Sequence, residues 1–379
     1  MNERKLRAWQ DAGLIDEAAV AGILAFEEQN ERPLGLWAAI GIGALAIGLG
    51  IVSIVAANWE AVPGALRLAL HFALIAGLGG FIALRGEAMM RDHSWWLEAA
   101  LFVLAVLGMA FFGHLGQVYQ TNSPLWQPLA AWLLLFAPLL LMRGQSWLAA
   151  ALVFGTLAFA TWDFAWTIGQ PFGPRANPPV PLVAFVTASP VLFAPAAAWI
   201  RERATNDVLW QRLEEFALAY ALGAASLVCI AASIDAFGRE GPTLLGLAIR
   251  ACVALLAAAL LVLPRRDRSG MAAALMLAGA GLAALLAHPL SGTGAAPGFL
   301  FMALWSGIGI CALRAGWRAV FQIGVAMVAL RLIALSFELA SDLLTSGFGL
   351  ILAGILILTI AWGAVRISRQ FAPARETTP

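Results

Sequence analysis

The sequence predicts an all-α fold, a polytopic transmembrane helical bundle, and three observations lead to that prediction. Hydrophobic residues make up 61% of the chain and charged residues only 12%, whereas soluble domains carry about 25% charged residues. Apolar runs of about 20 residues, the length that an α-helix needs to cross a bilayer, follow one another along the chain. Arginine accumulates in every second connection between these runs. We therefore expect about twelve spans, within a range of roughly ten to thirteen.

Each predicted span is an apolar run of sufficient length. In chain order the runs lie near residues 34–57, 62–84, 95–116, 125–142, 147–168, 180–200, 213–235, 243–263, 270–290, 296–314, 318–340 and 345–366. In the first run, small residues four apart favour close helix packing. The sixth run contains Pro181, Pro190 and Pro195, and Pro289 and Pro297 flank the junction of the ninth and tenth. Because proline removes a helical hydrogen bond, these runs are the least secure of the predicted spans.

The positively charged residues predict how the chain is threaded. Eighteen of the 23 arginine and lysine residues fall in the head, the tail and the even-numbered connections, and only Arg175 and Arg239 fall in the odd-numbered ones. Positively charged connections resist translocation, so both termini are expected to face the cytoplasm. The dominance of arginine over lysine is typical of a GC-rich bacterial genome, which favours the inner membrane of a bacterial cell.

The chain is predicted to have a polar head and two membrane halves. Residues 1–33 are expected to form two short cytoplasmic helices separated by Gly13, with Asp16 capping the second. The predicted boundaries are 34–200 for the first half, 201–212 for a basic connection, 213–367 for the second half and 368–379 for a cytoplasmic tail. His114 ends the third span as His288 ends the ninth. This recurrence is compatible with a six-plus-six duplication, as in transporters with parallel repeats.

Polar side chains inside or at the ends of the spans are the candidates for function. A charge in hydrocarbon costs at least roughly 2.5–3.5 kcal/mol, so such groups are expected to face protein or water. On a helix, residues seven and four apart share a face, which aligns several members of the set. The candidates are Glu60, Arg67, His71, His114, Gln117, Tyr119, Asp163, Asp235, Arg250, Arg331, Glu338 and Asp342.

Two interpretations of this polar set remain open at the level of sequence. Nearly all its members fall in the outer half of the membrane once the chain is threaded as above. They are therefore expected to converge on one hydrated cavity that opens to the outside. Alternatively, they form separate helix–helix salt bridges and interfacial caps that only fix the packing.

Several functional classes find no support in the sequence. A net charge of +1, without a basic patch interleaved with aromatic residues, gives no reason to expect nucleic-acid binding. No HExxH, GxSxG or Walker motif is present, so no catalytic residue or cofactor site is predicted. The three cysteines, Cys229, Cys252 and Cys311, lie in apolar runs without metal-ligand spacing and are expected to be packing residues, so no metal is predicted either.

Particular motifs in the N-terminal part carry a resemblance to a known family. The head contains Leu6, Trp9, Gly13, Leu14 and Ile15, and a Gly-rich run ends in Asn58-Trp59 with Arg67 downstream. With these residues the chain resembles the bacterial membrane proteins of the domain of unknown function family 2157 over about residues 1–145. Residues 331–358 look like the closing hairpin of such proteins, with Glu338 in place of the usual aromatic-plus-Asp pair. The resemblance implies a polytopic membrane protein and no particular activity.

The sequence favours a transporter or channel-like carrier for an unidentified small solute or lipid. In this hypothesis Arg67, Arg250 or Arg331 binds an anionic group, and carboxylates couple the movement of protons or cations.

Two alternatives remain. One is a membrane-embedded enzyme that acts at the outer face, with His114, Glu60 or Asp163 as acid or base beside Tyr119 and Gln117. Nothing in the sequence selects a nucleophile or a metal for it, so an enzyme is the less favoured hypothesis. The other is a sensor or assembly scaffold that uses the cytoplasmic head.

Overall fold

The described part of the chain is helical throughout. The computed structural model describes residues 62–92, 94–169, 179–203, 207–237, 243–339 and 347–371, together with 9–10, 12–16, 18–20, 22, 42 and 46. These residues contain α-helices, one 3₁₀ segment and no strand. Except for two positions, the predicted first span at 34–57 lies outside the described residues, as do Glu60 and Asp342.

Twelve α-helices are present in the described ranges that begin at residue 62. They are α1 (Gly64–Asp92), α2 (Ser94–Tyr119), α3 (Trp126–Arg143), α4 (Trp147–Gly169), α5 (Val180–Ala188), α6 (Phe193–Arg201), α7 (Asp207–Ser233), α8 (Leu244–Val262), α9 (Arg268–Leu290), α10 (Ala296–Ala315), α11 (Arg318–Leu339) and α12 (Gly347–Phe371). The 3₁₀ segment Ser189–Leu192 joins α5 to α6.

The described helices confirm the predicted fold class. Ten candidate membrane spans occur among the described residues, and they coincide with the predicted second to eleventh spans. One of the ten, Val180–Arg201, consists of α5, the 3₁₀ segment and α6 together. In α12, which overlaps the predicted twelfth span, the described apolar stretch is Ala353–Ile367. The chain is thus a polytopic helical protein.

The chain divides into two compact units, Met1–Arg67 and Leu68–Pro379. In the first unit Gly13 adopts a φ of +69°, and the backbone N–H of Leu14 donates to the Trp9 carbonyl oxygen at 2.9 Å. This arrangement ends a helix at a left-handed glycine. The Asp16 carboxylate then accepts a hydrogen bond from the Ala19 N–H at 2.7 Å. Both features agree with the predicted helix break and cap in the head.

Small residues allow the central helices of the second unit to pack closely. On α8, Ala251, Ala254 and Ala257 are buried, and Gly281 of α9 lies against the first two. A Cβ added at Gly281 would lie 3.1 Å from the Ala251 carbonyl oxygen. Lipid chains are as apolar as leucine, so helices in a membrane associate through such close backbone contacts rather than through hydrophobic transfer.

The sixth predicted span is interrupted in its middle. Pro190 and Pro195 lack the N–H that a continuous helix requires, so the backbone passes through the 3₁₀ segment between α5 and α6. The Ser189 hydroxyl donates to the Val186 carbonyl oxygen at 2.8 Å and so satisfies one acceptor next to the break. The proline-containing sixth run is thus a candidate span, and its helix is broken in the middle.

The packing of α8 on α9 leads to a stability prediction. The variant Gly281→Ala should unfold at a lower temperature than the wild type in detergent, because the added methyl meets the backbone of α8. The matched variant Gly279→Ala, whose new methyl would meet only the Leu304 side chain at 3.9 Å, should be neutral or slightly stabilising. Equal unfolding temperatures for the two variants would show that α8 and α9 are not in such close contact.

Candidate functional site

Arg250 of α8 lies in the apolar part of the second unit and contacts α5. It is the seventh residue of its helix, hence about 9 Å from the helix start at about 1.5 Å per residue. Its Nε and Nη2 donate to the Thr187 hydroxyl oxygen at 3.4 and 3.3 Å. The Thr187 hydroxyl itself donates to the Val183 carbonyl oxygen at 2.8 Å. Thr187 is thus oriented by its own helix, with its lone pairs towards Arg250.

Two aromatic side chains extend this contact to α7 and α4. The Tyr220 hydroxyl donates to the Thr187 carbonyl oxygen at 2.6 Å, two residues before the 3₁₀ segment. The indole N–H of Trp162 donates to the Tyr220 hydroxyl oxygen at 2.8 Å. We call Trp162, Thr187, Tyr220 and Arg250 the Arg250 cluster. Four helices meet in it next to the break in the sixth span.

The Arg250 guanidinium has only neutral partners among the described residues. Its hydrogen bonds go to Thr187, and none of the ion pairs formed within the described ranges includes it. Arg250 is half-buried. A positive charge therefore lies well inside a candidate span without a carboxylate from the described part of the chain.

Arg331 of α11 shows the contrasting arrangement. Its side chain is 9% exposed, and Nη1 donates to a Glu338 carboxylate oxygen at 2.8 Å. Nη2 donates to the Ser233 hydroxyl of α7 at 2.9 Å and to the second Glu338 oxygen at 3.3 Å. The guanidinium packs on Gly298, where an added Cβ would lie 2.8 Å from Nη2. The structure therefore brings together Arg331 and Glu338, which the seven-residue spacing aligned.

Two predicted histidines from different helices also meet. The Nδ1 atoms of His71 in α1 and His114 in α2 are 3.4 Å apart. The Nε2 atom of His71 lies 3.0 Å from the Leu107 carbonyl oxygen, and Phe111 packs edge-on against the ring. A proton on Nε2 satisfies that carbonyl, so Nδ1 of a neutral His71 is an acceptor towards His114.

The two described aspartates of the predicted set bind a helix end and a connection. The Asp163 carboxylate accepts the Trp126 backbone N–H at 2.7 Å and so caps α3 from a different helix. The Asp235 carboxylate accepts the Ser291 hydroxyl at 3.1 Å, in the connection between α9 and α10. Because the Asp163 carboxylate is engaged in a cap, its proposed role as the acid or base of an enzyme gains no support.

The other predicted candidates either make different contacts, are exposed, or lie outside the described residues. The Nε of Arg67 donates to the Val62 carbonyl oxygen at 2.8 Å within the first unit. Gln117 and Tyr119 are exposed at the end of α2. Glu60 and Asp342 lie outside the described residues.

Within the described residues, the contacts divide the predicted set into separate groups. The groups are the histidine pair, the Arg331–Glu338 ion pair, Asp163 with the Trp126 N–H, Asp235 with the Ser291 hydroxyl, and the Arg250 cluster. The expectation of one shared cavity is therefore not supported by these contacts. Helical spacing shows which residues share a face of one helix, but it does not show which neighbouring helix that face meets.

Two apolar grooves in the second unit also lie apart from the predicted residues. One, of about 410 Å³, is formed by α10, α11 and α12, with Trp305, Phe321 and Ile360 among its lining residues. The other, of about 220 Å³, lies between α9 and α10. No described residue of the predicted polar set lines either groove.

Comparison with known proteins supports the membrane assignment. A family model described as "Predicted membrane protein (DUF2157)" matches residues 7–149. This match confirms the resemblance that the N-terminal motifs indicate. The chain is a multi-span membrane protein. Among curated proteins and among solved structures, no match was found.

In this membrane protein the most buried described carboxylate is one that the sequence did not single out. Glu214 of α7 is 2% exposed and pairs with Arg265 at 2.5 Å and with Arg201 at 3.4 Å. The two ion pairs join α6, α7 and the connection before α9. Glu214 stands at the start of an apolar run beside arginine-rich connections, and this position is the sequence feature that could have identified it as a buried ion-pair partner.

Further hydrogen bonds and an ion pair lie at the same arginine-rich connections. Arg212 donates to the Gln145 carbonyl oxygen, and the Gln145 backbone N–H donates to the Glu98 carboxylate. Arg143 pairs with Glu87 at 3.6 Å. Together with the Glu214 ion pairs, these contacts join the ends of α1, α2, α3, α6 and α7 and the connection before α9. We call this end of the second unit the arginine-rich end.

Removal of the Glu214 carboxylate is expected to be strongly destabilising. Glu214→Ala should lower the free energy of unfolding by about 3–5 kcal/mol, because two partly buried guanidinium groups lose their shared counter-ion. Among the described residues, the neighbouring Glu215 bonds only to Gln211 on an exposed face, so Glu215→Ala should change stability by less than about 0.5 kcal/mol. Chemical denaturation in detergent micelles measures both values. A small effect of Glu214→Ala would indicate that the two ion pairs contribute little to stability.

The cap of α9 gives a pH prediction. A hydrogen bond from the Ser269 hydroxyl, with further help from Arg265 and the Gly270 N–H, holds the pKa of Asp267 at about 2, below its ordinary value of 3.8. The ionised form is therefore favoured by folding. This contribution to stability is fully present above pH 3.8 and is lost as the pH falls through about 2.

Substitutions at Asp267 separate the cap from the charge. Asp267→Ala should cost about 1 kcal/mol at neutral pH through loss of the cap. Asp267→Asn keeps a capping oxygen, and the stability difference between wild type and this variant should shrink as the pH is lowered below 3.8. Thermal unfolding of the three proteins between neutral and acidic pH is the measurement. A difference that does not change with pH would contradict the assignment of the low pKa.

Proposed function

We propose that this protein is a carrier that moves a solute across the membrane through a site at the break in the sixth span. The observation that supports this is the position of the Arg250 cluster beside the 3₁₀ segment, where Tyr220 binds the Thr187 carbonyl. Substrate sites of secondary transporters typically lie near the middle of the bilayer and use discontinuous helices.

The interrupted backbone is a feature that a purely structural span does not require. Irregular backbone at membrane depth is tolerated only where protein or a water-filled cavity satisfies its polar groups. Here the Thr187 carbonyl depends on the Tyr220 hydroxyl from another helix, and the Val186 carbonyl depends on the Ser189 hydroxyl. A movement of α5 relative to α7 would expose the Thr187 carbonyl oxygen to a bound solute or to water.

The arginine-rich end supports a closed state on one side of the carrier. Its ion pairs join several helix ends, with the buried Glu214 held by Arg201 and Arg265. We infer that this end faces the cytoplasm of a bacterial cell, because positively charged connections resist translocation. In this state the cytoplasmic side is held closed by ionic contacts, and opening requires the Glu214 pairs to separate.

The proposed centre differs from the one that the sequence favoured. The carrier hypothesis drawn from the sequence rests on a common outer cavity. The present proposal rests on the helix break and on Arg250, one of the charged residues in the predicted polar set. Arg331 belongs to a closed ion pair, and Asp163 belongs to a helix cap. The transported solute, a small molecule or a lipid, is accordingly expected to bind at the Arg250 cluster.

A carrier is expected to expose its centre to each side of the membrane in turn. In a background with Cys229, Cys252 and Cys311 replaced by alanine, single cysteines at Thr187→Cys and Ser189→Cys should react with a membrane-impermeant thiol reagent added from either side of oriented vesicles. The control Leu134→Cys, on an exposed apolar face of α3, should react from neither side.

The other outcomes of the labelling experiment decide against the proposal. Protection of both positions from both sides would make the break a structural feature. Reaction from one side only would indicate a one-sided pocket, as expected for an enzyme or a sensor rather than for a carrier. Monodisperse size-exclusion profiles show which of the two cysteine variants are folded.

A further inference from the structure

Two arginines inside the described spans differ in whether a described carboxylate neutralises their charge. Arg331 is neutralised by Glu338 on its own helix, at 2.8 Å. Arg250 bonds only to the hydroxyl of Thr187, and no described carboxylate forms an ion pair with it. The described part of the chain thus supplies a counter-ion for the buried Arg331 guanidinium and none for the half-buried Arg250 guanidinium.

The Arg250 charge cannot be removed by loss of a proton. A guanidinium stays protonated in proteins. A lone positive charge inside a membrane is costly, and such residues normally pair with an anion or face water. A counter-ion that is not part of the described chain is the direct way to neutralise Arg250.

The surroundings of Arg250 suit an anion. Its Nη1 makes no hydrogen bond among the described residues, and it lies 3.8 Å from the position of a Cβ added at Gly246. Gly246 belongs to the first turn of α8, which Thr243 caps by accepting the Gly246 N–H at 3.1 Å. The N-terminal end of a helix carries partial positive charge, so an anion beside Nη1 is favoured by both Arg250 and α8.

The shape of the guanidinium indicates which anion is bound. Its planar fork matches two oxygen atoms of one carboxylate or phosphate group, whereas a halide meets only single N–H groups. Nε and Nη2 are directed to Thr187, which leaves the Nη1 side for the ligand. The Val180 methyl lies 3.5 Å from the same Gly246 position and provides an apolar wall.

We propose that the Arg250 cluster binds an oxyanion, a carboxylate or phosphate group that is the charged part of the transported solute. The proposal rests on the carrier function and names its substrate class. Arg250 is the binding residue. Thr187 is a positioning residue, because its hydroxyl orients the guanidinium, and Tyr220 holds Thr187 through its carbonyl.

Ligand binding is measured without transport. The purified protein in phosphatidylcholine nanodiscs is titrated with inorganic phosphate at constant ionic strength, balanced with sodium chloride, and its thermal unfolding midpoint is followed. Binding to the folded state should raise the midpoint by at least about 2 °C at saturating phosphate. Arg250→Gln should abolish the rise and Arg250→Lys should keep part of it. The control Arg314→Gln, at an exposed arginine of α10, should leave it unchanged.

A second arm identifies the source of the oxyanion. In nanodiscs that contain phosphatidylglycerol and no free phosphate, a lipid headgroup in the site should raise the wild-type midpoint but not that of Arg250→Gln. A response in either arm supports an oxyanion site. An unchanged wild-type midpoint in both arms, or an equal rise in Arg250→Gln, would overturn the proposal.

Variants at Thr187 test its positioning role in the arm that gives a response. Thr187→Val should raise the anion concentration needed for the half-maximal shift several-fold, whereas Thr187→Ser, which keeps the hydroxyl, should leave it unchanged. An equal effect of the two substitutions would remove Thr187 from the site.

Failure of this proposal is distinguishable from failure of the carrier function. If cysteines at the break react from both sides but no anion stabilises the protein, the carrier remains and its substrate class is wrong. If an anion binds through Arg250 but the cysteines react from one side only, the site is an anion pocket of a protein that does not transport.

Discussion

Inside a bilayer no water is available to satisfy a backbone or charged group, so each must find its partner within the protein. The described contacts follow from this constraint. Asp163 satisfies a backbone N–H at the start of α3, and Tyr220 and Ser189 satisfy carbonyl oxygens beside the broken span. Trp132, which is fully buried, donates its indole N–H to the Ala105 carbonyl oxygen at 2.9 Å. These four side chains thus each have a defined partner within the protein.

The same constraint explains which features the sequence could predict. A helix that crosses the membrane must be long and apolar, so ten predicted spans match helices of the described chain. Proline cannot donate an N–H, so the interruption in the sixth span was visible as Pro190 and Pro195. The Arg331–Glu338 pair was also predictable, because both residues belong to one helix and share a face.

Contacts between helices were not predictable in this way. Tyr220 reaches Thr187 across 33 positions, Arg265 reaches Glu214 across 51, and Arg250 reaches Thr187 across 63. No local spacing encodes these pairs. Threonine is tolerated in apolar helices, and Tyr220 lies in the middle of an apolar run without a charged neighbour on its own helix face, so neither Thr187 nor Tyr220 was singled out before the packing of the helices was known. The separation of the predicted polar set has the same cause, since it depends on how each helix is rotated in the bundle.

The buried Arg331 and the half-buried Arg250 show why the charge of a side chain must be considered separately from its packing. The bond between Arg250 and Thr187 satisfies part of a guanidinium, but a neutral donor such as glutamine would also satisfy the hydroxyl oxygen without bringing a charge into the membrane. At Arg331 the chain supplies Glu338, so the charge is part of a closed structural pair. At Arg250 the described chain supplies no acid, so packing alone does not account for a cation there. The charge of Arg250 is best explained by a ligand that carries the opposite one.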